Sequence, residues 1–170
     1  MSKSHYAGID IGSNAVRLLI KCLNEPGSSE PLSKVQLVRV PLRLGEDAFT
    51  EGRISKKKAK QLVSLMKAYS SLMEIYEVTA WRACATSAMR DAENVQELVE
   101  RIYEKTGIKV EIIDGKEEAR LISADLMRSL AGRDGDTYLY VDVGGGSTEL
   151  NLVRGAELIE SRSFDIGTIR

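Results

Sequence analysis

The chain opens with strand-like patterning. Tyr6–Asp10 is a short apolar run ending on an acid, and Ala15–Leu23 is a second run rich in Val, Leu and Ile. Lys34–Val40 alternates polar and apolar residues, the mark of a half-buried strand. Asn24–Pro31 is a turn-rich link that holds two of the three prolines. Three strands on short links predict an antiparallel meander. Pro41–Arg53, with Gly45 and Gly52, reads as a longer loop.

The period then lengthens. Ser55 can cap a helix in which Leu62, Leu65, Met66, Tyr69, Leu72 and Met73 recur every three or four residues. Glu77–Ala85 reads as a strand and Asn94–Thr106 as a helix with Val95, Leu98, Val99 and Ile102 on one face; Gly107 is placed to end it in a left-handed conformation. Lys109–Ile113 is a further strand, and Asp114 opens a helix running to about Leu130. Helices that follow single strands predict parallel crossovers added to the meander. Beyond the polar link Gly132–Asp136, the segments Thr137–Val143, Ser147–Val153 and Ala156–Phe164 read as three more strands.

There the chain repeats itself. Ala7-Gly8-Ile9-Asp10-Ile11-Gly12-Ser13-Asn14 is echoed by Leu139-Tyr140-Val141-Asp142-Val143-Gly144-Gly145-Gly146-Ser147-Thr148, and the two aspartates are 142 − 10 = 132 residues apart. That is about one domain. The expectation is two related domains facing each other across a cleft, the first over residues 1–125 and the second beginning over 126–170. The second would stop after three strands with one sheet face bare, a surface on which a homodimer could form.

Composition narrows the function. With 43% hydrophobic and 29% charged residues a core can form, and a net charge of −1 supplies no general field for a nucleic-acid polymer. A polyanion would have to be gripped locally. His5 is the only histidine, close to an N-terminus expected to be loose, so histidine catalysis is excluded. Cys22 and Cys84 lack metal-ligand spacing and read as reduced, buried thiols. No apolar run reaches the ~20 residues that cross a membrane, and no signal-peptide core is present. The location expected is cytoplasmic.

The small residues of Gly12-Ser13-Asn14 and Gly144-Gly145-Gly146-Ser147 allow tight turns whose N–H groups can bind anions. Plain hairpin turns would account for either one alone; the pair, each with its aspartate, favours a phosphate clamp. Asp142 and Glu149, with Asp10 as a third candidate, are hard oxygen ligands of the kind Mg²⁺ takes in ones and twos beside substrate phosphates. Asp114 and Glu117 form an acidic capping box, which makes Glu117 structural. Glu118 is free of that duty and can face the cleft as a base for water, although a glutamate so placed is, taken alone, more often a surface residue. Arg90 follows a strand and can fork onto phosphate. Arg17 is explained as well by a cross-strand ion pair. Lys56-Lys57-Lys58 reads as a solvated face, although cations are unfavourable at a helix N-terminus.

Gly8–Asn14, Ala85–Arg90, Gly115–Ile122 and Asp142–Leu150, in that order, resemble the motifs of the exopolyphosphatase/guanosine pentaphosphate phosphohydrolase (Ppx/GppA) family. The resemblance implies an α/β, actin-like (ribonuclease H-like) fold and Mg²⁺-dependent release of terminal phosphate from polyphosphate or pppGpp. It implies Glu118 as catalytic base, Asp142 and Glu149 as metal- and water-associated acids, and Arg90, Ser13, Asn14 and the Gly144–Ser147 turn as phosphate contacts. Ala15 stands where the family commonly has serine. An actin-like kinase, or a module that binds polyphosphate or an alarmone without cleaving it, would use the same loops.

Overall fold

The computed structural model describes residues 4–28, 30–130, 136–155 and 157–170. Strands β1 (His5–Ile11), β2 (Val16–Leu23) and β3 (Leu32–Val40) form the expected meander, and β4 (Val78–Ala85) and β5 (Val110–Ile112) add to it in parallel. The sheet order is β3-β2-β1-β4-β5. A second sheet, β6 (Thr137–Val143), β7 (Thr148–Arg154) and β8 (Glu157–Phe164), is antiparallel. His5 lies inside β1, its carbonyl accepting from the Thr79 hydroxyl, so the N-terminal strand is paired as far as this residue rather than loose.

Alternation in β2 sends Val16, Leu18, Ile20 and Cys22 to the inner face of the first sheet. There they meet α2 (Lys56–Ile75) and α4 (Val95–Thr106), whose Leu62, Met66, Leu98 and Ile102 complete one core. Tyr69 is buried in it and donates its hydroxyl to the carbonyls of Val16 at 3.0 Å and Val38 at 3.4 Å. Burial, with a smaller contribution from the Asp10 charge, pushes this phenol up to about 12. Ser55 caps α2 through Lys58 N–H, and Gly107 ends α4 with φ 70°.

One segment read as a loop is helical, and a second short helix is one the pattern does not predict. Residues 41–53 contain α1 (Leu44–Glu51), and α3 (Ser87–Asp91) follows β4. Neither carries a sequence signal for its start. Arg43 at the N-cap of α1 sits in the left-handed region with φ 51° and no side-chain cap, and Thr86 makes no capping bond for α3. Tertiary contacts hold them instead: Leu44 and Ala48 are buried, one turn apart. Lys58, awkward at its helix N-terminus, is neutralised by Asp47 at 2.8 Å and Glu46 at 3.1 Å from α1.

Helix α5 (Gly115–Leu130) packs against β7 and β8, covering the face that carries Glu149, Asn151 and Val153. The opposite face of this sheet leaves Leu139, Val141 and Val143 exposed.

The Tyr69 hydroxyl gives a direct test of the core. Tyr69→Phe should lower the unfolding free energy by about 1–2 kcal/mol, measured by urea denaturation, because a buried acceptor loses its donor.

Candidate active site

The internal repeat is a repeat of hydrogen bonding. In the β1–β2 turn Gly12 N–H donates to the Ala15 carbonyl at 3.1 Å, and in the β6–β7 turn Gly144 N–H donates to the Ser147 carbonyl at 2.8 Å. The offset is the same at both ends, 144 − 12 = 132 and 147 − 15 = 132. It also equates Arg17 with Glu149, since 149 − 17 = 132, and each of these faces its repeat's aspartate directly across the ladder. In the first repeat Arg17 binds Asp10 at 2.9 Å. In the second, two carboxyl groups are opposed.

The two turns meet. A side chain on Gly145 would put its Cβ 3.1 Å from Ser13 Cβ and 3.2 Å from Asn14 N, and one on Gly146 would run into Phe49, Ser87 and Ser13. Ser13 is buried, its hydroxyl 2.8 Å from that of Ser87 and accepting from Ala88 N–H at 3.2 Å. The orphan donor at the start of α3 is thus satisfied by a residue 75 positions away. Helix α1 is fixed to the same turn by Gly45 N–H donating to the Ser13 carbonyl at 2.9 Å and Arg43 N–H to the Asn14 carbonyl at 2.8 Å.

On the other side of the glycine turn runs the segment after β8. Thr168 N–H donates to the Gly144 carbonyl at 3.0 Å, Ile169 N–H to that of Gly145 at 2.8 Å, and Arg170 Nε to that of Gly146 at 2.8 Å. In a trans peptide the N–H points opposite to the preceding carbonyl. The N–H groups of Gly145, Gly146 and Ser147 therefore point away from this segment, and among the described residues none of them has a protein acceptor. Free N–H groups on successive residues of a turn are the kind of arrangement that can bind an anion.

Glu118 enters from the first turn of α5. Asp114 caps that helix, accepting from Glu117 N–H at 2.8 Å, while the Glu117 carboxylate is occupied by Arg120 at 2.7 Å and Arg82 at 3.2 Å. Only half of the capping box forms, and Glu117 is structural as expected. Glu118 reaches the cavity instead, 16% exposed, with Oε2 buried and lacking a hydrogen-bond partner among the described residues. Burial, reinforced by Glu149 and opposed by Arg90, pushes its carboxyl up to about 7. Such a value suits a base working near neutrality. Glu149 itself is 1% exposed and accepts from the Ser163 hydroxyl at 2.9 Å. Burial, against the opposing pull of Arg17, also raises Asp10.

Nearly all the residues singled out from the sequence line one cavity of about 560 Å³ between the two turns, the first sheet and α5. Arg90 is the exception: it stands behind Glu118, Nη1 3.9 Å from Oε2, and donates to the Ile113 carbonyl at 2.8 Å. Cys84, expected in the core, is half-buried on the cavity wall, its thiol pushed up by burial and therefore protonated at neutral pH. Among the described residues no three His, Cys, Asp or Glu side chains cluster into a ready-made metal centre. Asp142 and Glu149 are the opposed pair able to share a hard cation, with Asp10 on the far wall. Phe49, Ser87, Ser163 and Arg170 were not read from the sequence. Ser163 becomes legible once the β7–β8 register places it opposite Glu149; Arg170 has no local signal at all.

A raised carboxyl pKa makes stability greatest at low pH and removes it as the pH climbs through the folded value. In cation-free buffer, the stability of Glu118→Gln relative to the unmodified protein should rise from pH 4.5 to about 7 and then level off, as read from thermal melts. A difference constant with pH would show that Glu118 titrates normally.

A sequence model of the Ppx/GppA phosphatase family matches residues 25–170. Exopolyphosphatase 1 of Mycobacterium tuberculosis is 32% identical over 143 residues, covering 84% of this chain and 40% of that protein. The crystal structure of the Aquifex aeolicus Ppx/GppA family member aligns with TM-score 0.83 at 30% identity, over 99% of this chain and 53% of its own. An exopolyphosphatase from Cytophaga hutchinsonii aligns with TM-score 0.87 at 29% identity, over 96% of this chain and 51% of its own. The chain thus spans about half or less of the length of the relatives it matches. The α/β, actin-like fold expected from the sequence is the fold these structures share.

Proposed function

The chain belongs to the Ppx/GppA phosphatase family, and on that premise we propose that it contributes the phosphate clamp and the general base for Mg²⁺-dependent removal of terminal phosphate from inorganic polyphosphate, with pppGpp as a second substrate of the same chemistry. The observation that carries this reading is the buried Oε2 of Glu118, which has no hydrogen-bond partner among the described residues, on the wall of a cavity lined by two opposed turns.

The terminal phosphoryl group sits against the N–H groups of Gly145, Gly146 and Ser147, with the Gly12–Asn14 turn on its other side. Glu118 accepts a proton from a water molecule as its oxygen attacks the terminal phosphorus. The P–O bond to the next phosphate breaks, giving orthophosphate and a chain shorter by one. Phosphoryl transfer depends chiefly on such positioning and on charge stabilisation. Asp142 and Glu149 would hold Mg²⁺, whose charge offsets that of the phosphates, and an opposed carboxyl pair suits an ion that prefers few protein ligands. Arg90, tied to Ile113, steadies Glu118 from behind and partly offsets the rise in its pKa.

Phosphate release should be followed from polyphosphate and from pppGpp, with and without Mg²⁺, on the full-length protein. Glu118→Gln should lower kcat by about 10²–10⁴-fold, the usual contribution of a positioned general base. Asp142→Asn should raise the Mg²⁺ concentration needed for half-maximal rate. Phosphate release that persists in Glu118→Gln would remove this residue from the chemistry. Release that requires an added acceptor would indicate a kinase.

A further inference from the structure

Arg170 is anchored to its own segment by an ion pair with Asp165 at 3.6 Å and beyond it in three directions at once. Nε donates to the Gly146 carbonyl at 2.8 Å, Nη2 meets Asp91 at 2.7 Å at the end of α3, and the guanidinium carbon lies 4.3 Å from the centre of the Phe49 ring on α1. Its own N–H donates to the Gly145 carbonyl at 3.2 Å. One side chain thus ties the glycine turn of the second sheet to the two helices that shape the turn of the first. We propose that Arg170 is a positioning residue whose side chain, through the Gly146 carbonyl, turns the Ser147 amide toward a bound phosphate and sets the spacing between the two turns.

The geometry favours positioning over bulk stability. The Arg170–Asp91 pair is 26% and 34% exposed, a setting in which an ion pair adds little stability. The guanidinium fork, however, makes a carbonyl bond, an ion pair and a ring contact together, and lysine cannot reproduce all three. Each carbonyl held by the segment fixes the direction of the N–H that follows it.

This inference rests on the phosphate-clamp reading, and the test separates the two. Binding of inorganic tripolyphosphate to the full-length protein is measured by calorimetry for the unmodified form, Arg170→Lys and Asp91→Asn, beside KM, kcat and Tm. Arg170→Lys should weaken tripolyphosphate binding about tenfold or more, because amides no longer preorganised must be ordered when the phosphate binds. KM for polyphosphate should rise in parallel, with kcat little changed and Tm within a few degrees. Asp91→Asn should move binding in the same direction by less. Unchanged binding in Arg170→Lys overturns the proposal, and so does a fall in kcat alone. Failure of the unmodified protein to bind tripolyphosphate overturns it together with the clamp. If the unmodified protein binds tripolyphosphate without cleaving it and Arg170→Lys loses that binding, the hydrolase reading fails while the role of Arg170 stands.

Discussion

The site depends on two backbone turns that approach so closely that the second presents bare glycine backbone to the side chains of the first. A Cβ on Gly145 would crowd Ser13 and Asn14, and one on Gly146 would overlap Phe49 and Ser87. Glycine is required here by the approach of a second chain segment rather than by a positive φ. The rest of the arrangement follows from that contact. Ser13 is buried because the second turn covers it, α1 and α3 dock on Ser13 and Asn14, and α5 carries Glu118 into the remaining space.

The two halves share a hydrogen-bonding pattern and differ in charge. At matched positions the first repeat opposes Asp10 with Arg17, and the second opposes Asp142 with Glu149. The first pair is nearly self-compensating. The second concentrates carboxyl groups in a buried setting, with the Ser163 hydroxyl as the one side-chain donor to Glu149 among the described residues. Burying charge without a partner is costly, and such costs are commonly found at functional sites, where stability is given up for chemistry. Glu118 shows the same trade: its raised pKa comes first from burial and then from Glu149.

Much of this was legible in the residues. The meander, the parallel additions, α2, α4 and α5 followed from period and capping, and the repeat of Asp10 and Asp142 located both turns. Separating Glu117 from Glu118 needed only the capping position of Asp114. The failures share one cause. Helix α1 starts at a left-handed Arg43 with a glycine inside, and α3 takes its cap from Ser13 in another turn, so neither is specified locally. Arg170 and Phe49 were missed for the same reason, because their roles exist only once the sheets are packed. Cys84 was misplaced because its strand also forms the cavity wall, a fact of topology rather than of pattern.

Whether both turns and Glu118 belong to one phosphate site can be seen directly. The most direct measurement is a crystal structure of full-length Glu118→Gln with tripolyphosphate and Mn²⁺ in place of Mg²⁺. The account predicts a terminal phosphate held by the amides of Gly145, Gly146 and Ser147, Mn²⁺ beside Asp142 and Glu149, and residue 118 facing the terminal phosphorus across one water molecule. A phosphate chain bound away from these turns, or bound there with residue 118 out of reach of its terminal phosphorus, would contradict it.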